Sequence, residues 1–197
     1  MCHAFLHDAN FYQLLTRIDE SIAEEARARG CDCGGVLHRA CYPRKPRGER
    51  GVLDESYQRR LSFCCAEDGC RRRCTPASVR FLGRKVYLGV IVVLITALNH
   101  GLSASRRQRL IETLGVCVQT LRRWQQWWRE QFVQTRCWRG LAGQFLPPIL
   151  TAHLPSALLE RLSGRALSER VVQLLVLIAP TTTTTGSPQA MADPRKM

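Results

Sequence analysis

The sequence predicts a mainly α-helical chain carrying one small β module. Three observations lead there. Apolar residues recur at helical spacing over residues 10–29 and again beyond residue 84. Between them lies a 44-residue window, 31–74, that holds seven of the ten cysteines. Within that window short runs alternate between apolar and polar, as half-buried strands do. The expected order is an N-terminal amphipathic helix (1–30), a cysteine-rich module (31–83), a three-helix unit (84–140), C-terminal helices (141–180) and a disordered tail (181–197). At 197 residues this is one ordinary domain or two small ones.

The first helix rests on Phe11, Leu14, Leu15, Ile18 and Ile22, with Asp8 or Asn10 as cap and Gly30 as stop. The cysteine-rich module opens with Cys31-Asp32-Cys33-Gly34-Gly35, where two small residues let the chain turn back. It closes with Cys64-Cys65-Ala66-Glu67-Asp68-Gly69-Cys70-Arg71-Arg72-Arg73-Cys74. Strands are expected near Val36–Ala40 and Arg59–Cys65. Two cysteine-bearing turns about 30 residues apart, each giving two thiolates, are what a zinc ribbon needs. The module is therefore expected to be zinc-ribbon-like, with Zn²⁺ as its cofactor. Disulfides and unligated thiols are the alternatives. The start of the chain, Met1-Cys2-His3-Ala4-Phe5, lacks the basic and apolar regions of an export signal, and in a reducing cytoplasm clustered cysteines more often bind metal.

Choosing four ligands is harder than expecting four. Cys31 and Cys33 share a turn. Alternation along Leu61-Ser62-Phe63-Cys64-Cys65 puts Cys64 and Cys65 on opposite faces, so only one should face the metal. Cys65 with Cys70 is the favoured second pair; Cys64, Cys41 and Cys74 are alternates. His38 could replace a thiolate but reads as an ordinary strand residue. Cys2, Cys117 and Cys137 lie outside the window and read as free, partly buried thiols.

The net charge of +13 is unevenly placed. Residues 31–85 carry 13 basic and 6 acidic side chains and residues 86–140 carry 8 and 2, whereas the flanking segments are close to neutral. A positive field confined to the module and the segment after it suggests a polyanion partner. The loop Tyr42-Pro43-Arg44-Lys45-Pro46-Arg47-Gly48-Glu49-Arg50-Gly51 is either an arm over a phosphate backbone or a plain connection. The apolar run Tyr87–Leu98 falls short of the roughly 20 residues a membrane span requires, and Val171–Ala179 is shorter still.

Residues 84–132 divide into a helix from about Lys85 to Asn99, a second helix capped by Ser103 or Ser105 and running to Leu114, a turn at Gly115, and a third helix from Val116 to about Phe132. Along the third helix Leu121, Trp124 and Trp128 form a stripe to be buried. Gln119, Thr120, Arg122, Arg123 and Gln126 point the other way. Such a face suits a DNA major groove, because arginine can donate two hydrogen bonds to guanine and glutamine can pair with adenine. A charged outer face is also common on ordinary amphipathic helices. Trp127 leaves the stripe. Further on, Pro155 can open a short helix to Leu162, Ser168 can cap another ending at Pro180, and the threonine run reads as low-complexity.

Taken together, Cys31-x-Cys33-Gly34-Gly35, His38-Arg39, Tyr42-Pro43-Arg44-Lys45-Pro46-Arg47-Gly48, Phe63-Cys64-Cys65 through Gly69-Cys70-Arg71-Arg72-Arg73, and Ser78-Val79-Arg80-Phe81-Leu82-Gly83-Arg84 resemble a family of uncharacterised bacterial proteins. These look like the zinc-ribbon and helix-turn-helix N-terminal DNA-binding part of insertion-sequence transposases, standing alone. The resemblance covers roughly residues 25–135. It implies zinc on Cys31, Cys33, the Cys64/Cys65 pair and Cys70, and DNA contact from the third helix. One departure is Cys117, where such turns usually carry a capping Ser or Thr.

Three functions compete. The first is a non-catalytic, cytoplasmic DNA-binding protein associated with a mobile element, with double-stranded DNA as partner and a separate transposase chain for any catalysis. The second is a transposase or nuclease, which needs carboxylates converging on metal ions. Beyond Cys74 the only acids are Glu112, Glu130, Glu160, Glu169 and Asp193, which leaves no such core. The third is a protein-binding zinc adaptor that presents its tryptophans and C-terminal helix.

Overall fold

The structure is a computed structural model describing residues 4–44, 53, 55–82, 87–98, 105, 108, 112 and 115–185. Among these residues it is mainly helical, with a small antiparallel sheet. Helix α1 (Ala9–Arg29) starts where the Asp8 carboxylate accepts the Asn10 N–H, and it stops at Gly30, whose φ of 73° favours glycine. Its buried face runs through Phe11, Leu15, Asp19, Ala23 and Ala26. Leu14, expected inside, is 47 % exposed.

The strands are short. β1 (Leu37–Arg39) and β2 (Tyr42–Pro43) precede β3 (Arg59–Arg60), β4 (Phe63–Cys65) and β5 (Arg73–Thr75); β6 (Thr184–Thr185) comes from the tail. One sheet runs β1-β4-β5-β6 and a second pairs β2 with β3. The continuous strand expected over Arg59–Cys65 is broken at Leu61-Ser62. There the chain passes from the smaller sheet to the larger one. The loop expected to carry basic residues lies mainly outside the described residues.

Helix α2 (Gly89–Leu98) is buried along most of its length. The expected second helix of the three-helix unit lies largely outside the described residues, although Ser105, Gln108 and Glu112 are helical. Gly115 turns the chain at φ 61°. Helix α3 (Val118–Gln126) follows, two residues later than expected, and Cys117 at its cap makes no side-chain bond to the backbone. It widens into a π-helical turn over Trp127–Gln131 and tightens into a 3-10 turn over Phe132–Gln134. Helix α4 (Arg136–Ala142), which the apolar spacing does not predict, begins where the Thr135 hydroxyl accepts the Trp138 N–H. Helices α5 (Ser156–Arg161) and α6 (Leu167–Ile178) complete the fold. Ala166, rather than Ser168, stands at the α6 cap. Among the described residues no helix is long and apolar enough to cross a membrane.

The tail differs from expectation. Thr181–Thr185 is ordered as a 3-10 turn followed by β6. The hydroxyls of Thr181, Thr182 and Thr183 each donate to the carbonyl three residues back. The Thr182 hydroxyl also accepts the Ser78 N–H at 2.8 Å, and Thr184 pairs with Thr75 on the edge of β5. Low complexity hides this, because the order comes from a strand edge more than 100 residues away. Residues 186–197 lie outside the described residues.

Two cores result. The larger joins α1 (Phe11, Tyr12, Leu15) to Tyr57, Val79 and Leu82, to α2, and to Leu121, Trp124, Trp128, Leu158, Leu174 and Ile178. The smaller comprises Ala23, Leu37, Phe63 and Cys65. Between them Asp19 and Arg80 form an ion pair at 2.8 Å, both 1 % exposed. Asp19 also accepts the Ser78 hydroxyl and the Val79 N–H. The Arg80 guanidinium donates in addition to the carbonyls of Tyr57 and Arg59. A buried charge pair survives only when its remaining hydrogen-bonding capacity is used in this way. It fastens α1 to the segment that follows β5.

Candidate functional site

Two turns bring the sulfur atoms together. In the first, the Gly34 N–H donates to the Cys31 carbonyl at 2.8 Å and the Cys31 N–H to the Gly35 carbonyl at 3.0 Å, which curls Cys31 and Cys33 inward. In the second, the Cys70 and Arg71 N–H groups both donate to the Glu67 carbonyl, which folds Cys70 back towards Cys65 at the end of β4. Pairing of Leu37 with Cys65 across β1 and β4 sets one turn over the other. The Sγ atoms of Cys31, Cys33, Cys65 and Cys70 then lie within 4.8 Å of one another, a group that could hold a metal ion. Cys31 and Cys70 are 3.7 Å apart and Cys33 and Cys65 are 3.5 Å apart.

Gly35 makes this approach possible. A Cβ there would stand 2.7 Å from the Cys65 sulfur and 2.5 Å from Cγ of Glu67, so only glycine lets the two turns close. The sequence marks it as a turn residue and no more. Its position two residues past Cys33 is the available signal.

Crowding divides the thiols. The Gly35 backbone N–H, followed by the neighbouring thiols of Cys65, Cys31 and Cys70, lowers Cys33 to about 7. The Glu67 backbone N–H favours the Cys65 thiolate, yet burial and the three other thiols push Cys65 up to about 12. The Cys33 thiolate forms readily while burial and neighbouring thiols raise Cys65, because like charges crowded into so small a space oppose one another without a cation. A metal ion held by the four sulfurs would supply such a cation.

The other candidates fall outside the cluster. Cys64, on the opposite face of β4 from Cys65, directs its sulfur to the Arg71 carbonyl. Cys41 directs its sulfur to the Ser62 carbonyl. Cys74 is half-buried on β5, and that burial raises its thiol. His38 is exposed on β1. Away from the module, Cys137 donates to the Leu177 carbonyl, whereas Cys117, expected to be partly buried, is exposed beside the Thr120 hydroxyl. Cys2 lies outside the described residues.

Arginines surround the cysteine cluster, and most are paired. Arg72 meets Asp32 at 2.8 Å, Arg71 meets Asp68, and Arg39 meets Glu24 at 2.5 Å. Arg73 lies over the Tyr42 ring.

The face of α3 differs. Leu121, Trp124 and Trp128 are buried as the spacing predicts, with Trp124 edge-on to Tyr87 at 5.1 Å. The Tyr87 hydroxyl donates to the Gly115 carbonyl and fixes the turn before the helix. Gln119, Arg122, Arg123 and Gln126 are exposed and Thr120 is half-buried. Neither Arg122 nor Arg123 has an ion-pair partner among the described residues. Trp127, off the stripe, packs against Trp128 and Phe132.

Sequence reasoning missed Asp19 and Arg80. An acid four residues after Leu15 and four before Ala23, on an otherwise apolar stripe, was the signal for the first. No known protein-family model, curated protein or solved structure matches this chain.

Proposed function

We propose that this is a non-catalytic DNA-binding protein in which a structural zinc ion holds the cysteine module and α3 reads duplex DNA from the major groove. The α3 face carries the reading: side chains able to pair with base edges stand exposed, and among the described residues neither arginine has a carboxylate partner. Gly115 and α3, with the helical residues before them, supply the turn and recognition helix of a helix-turn-helix.

Zinc is favoured by the donor set. Four thiolates suit a soft or borderline ion, and a closed set of four cysteines suits a structural one. Zn–S bonds near 2.3 Å in a tetrahedron require sulfurs about 3.8 Å apart, close to the 3.7 and 3.5 Å of the two pairs. The four sulfurs would bind the ion and fix β1 against the β4–β5 turn. When bound, zinc supplies cross-linking and charge balance.

Catalytic carboxylates find little support in the geometry. Glu112 accepts from Gln108, Glu130 from Gln126, and Glu169 from the Arg165 N–H, each engaged by a neighbour four residues away. Any transposition involving this protein would then use a separate catalytic chain. Titrating a fluorescent duplex with purified, metal-loaded protein tests the proposal. Binding that weakens with salt supports it. Absence of binding at low salt would leave the adaptor reading in its place.

A further inference from the structure

We infer that Arg129 and Arg136 grip the phosphate backbone of the duplex whose groove α3 enters. This rests on the DNA-binding reading above and extends its surface beyond the residues chosen to read bases. Both side chains are exposed, and neither has a hydrogen-bond or ion-pair partner among the described residues. Glu130, the single acid between Gly115 and Ala142, accepts a hydrogen bond from Gln126 at 2.8 Å.

Length separates the two sets of arginines. At about 1.5 Å per residue, Val118–Gln126 rises about 13 Å, and the major groove is about 12 Å wide. Recognition helices meet the bases with their N-terminal residues, so α3 fills the groove by Gln126. Arg129 and Arg136 follow it, at the level of the groove wall, where the chemistry on offer is phosphate.

The widened turn preserves that arrangement. Trp124, Trp128 and Phe132 recur every four residues and are all buried. An α-helix would rotate such a line steadily off the core. The Phe132 N–H instead bonds to the Trp127 carbonyl, five residues back, and the wider turn keeps the aromatic line inward and Arg129 outward. Such turns inside helices often mark functional positions. Arg136 opens α4, where the helix dipole disfavours a cation, so the stability of α4 does not account for it. Arg139 is different: it lies in the last turn of α4 and donates to the Gln134 carbonyl, so the fold accounts for its presence.

The test measures affinity of the full, metal-loaded chain for a duplex selected from random sequence, and for a scrambled one, across a potassium chloride series. Each phosphate contact contributes about 0.9 to the slope of log affinity against log salt. R129A/R136A is expected to flatten that slope by about 2 while leaving the ratio between the two duplexes unchanged. R129K/R136K should restore it, because a point charge suffices at phosphate. An unchanged slope in R129A/R136A, with binding still weakened by R122A/R123A, overturns the inference. A changed duplex ratio overturns it too, by making these residues base readers. Wild type that binds neither duplex at low salt overturns the parent reading, and this inference with it.

Discussion

Arg71 and Arg72 beside the cysteine cluster are paired with Asp68 and Asp32, whereas Arg122, Arg123, Arg129 and Arg136 have no carboxylate partner among the described residues. Residues 31–85 and 86–140 are almost equally basic by net charge, with 13 basic against 6 acidic side chains in the first and 8 against 2 in the second. Their side chains are used differently. Around the cluster the positive charge answers carboxylates within the fold. Along α3 and α4 it is left facing outward. Among the described residues, the arginines of α3 and α4 are therefore freer to meet a polyanion than those beside the cluster.

Withdrawing an ion held by the four thiols is expected to have the largest effect. Among the described residues the smaller core buries Ala23, Leu37, Phe63 and Cys65, with Leu61 and three cysteines partly buried against them, too little apolar burial for so small a unit to fold alone. A strong chelator, or Cys65→Ser, is expected to unfold β1, β4 and β5 while the tryptophan core around α3 stays folded. Hydrogen exchange of the two regions measures this; equal loss of protection in both would show that they are not separable.

Asp19→Ala removes the buried carboxylate partner of Arg80 and should cost about 3–5 kcal/mol, as stranding a buried charge does. Chemical denaturation would show it. A loss under about 1 kcal/mol would mean that the backbone carbonyls alone hold the guanidinium. Trp124→Ala deletes the ring packed edge-on to Tyr87 and should cost a similar 3–5 kcal/mol, roughly the range for a buried tryptophan. DNA binding would then be lost through the fold and recovered under stabilising conditions. Arg71→Ala with Arg72→Ala is the smallest expected change, about 0–1 kcal/mol in stability, because both pairs are surface-exposed.

Parts of this were legible in the sequence. Helical spacing placed α1 and the Leu121–Trp124–Trp128 stripe, and Asp8 and Gly30 marked the ends of α1. Alternation along β4 separated Cys65 from Cys64, because strand pleating is a local property. Long-range order was not legible. The threonine run pairs with β5, and Asp19 reaches Arg80, through contacts about 60 to 110 residues apart in sequence that no local pattern encodes. The π-helical turn is an intermediate case: Trp124, Trp128 and Phe132 at intervals of four are visible in the sequence, but only packing decides whether the helix widens to keep all three inside.

The claim that only unpaired arginines meet DNA is tested most directly by comparing two variants on one duplex. Equilibrium binding of R71A/R72A and of R122A/R123A is measured against wild type, with all three proteins metal-loaded and folded. Near-wild-type affinity is expected for the first and, for the second, a loss of about 1–3 kcal/mol for each base contact removed. Wild-type affinity in R122A/R123A together with weakened binding in R71A/R72A would contradict it and move the DNA surface to the metal module.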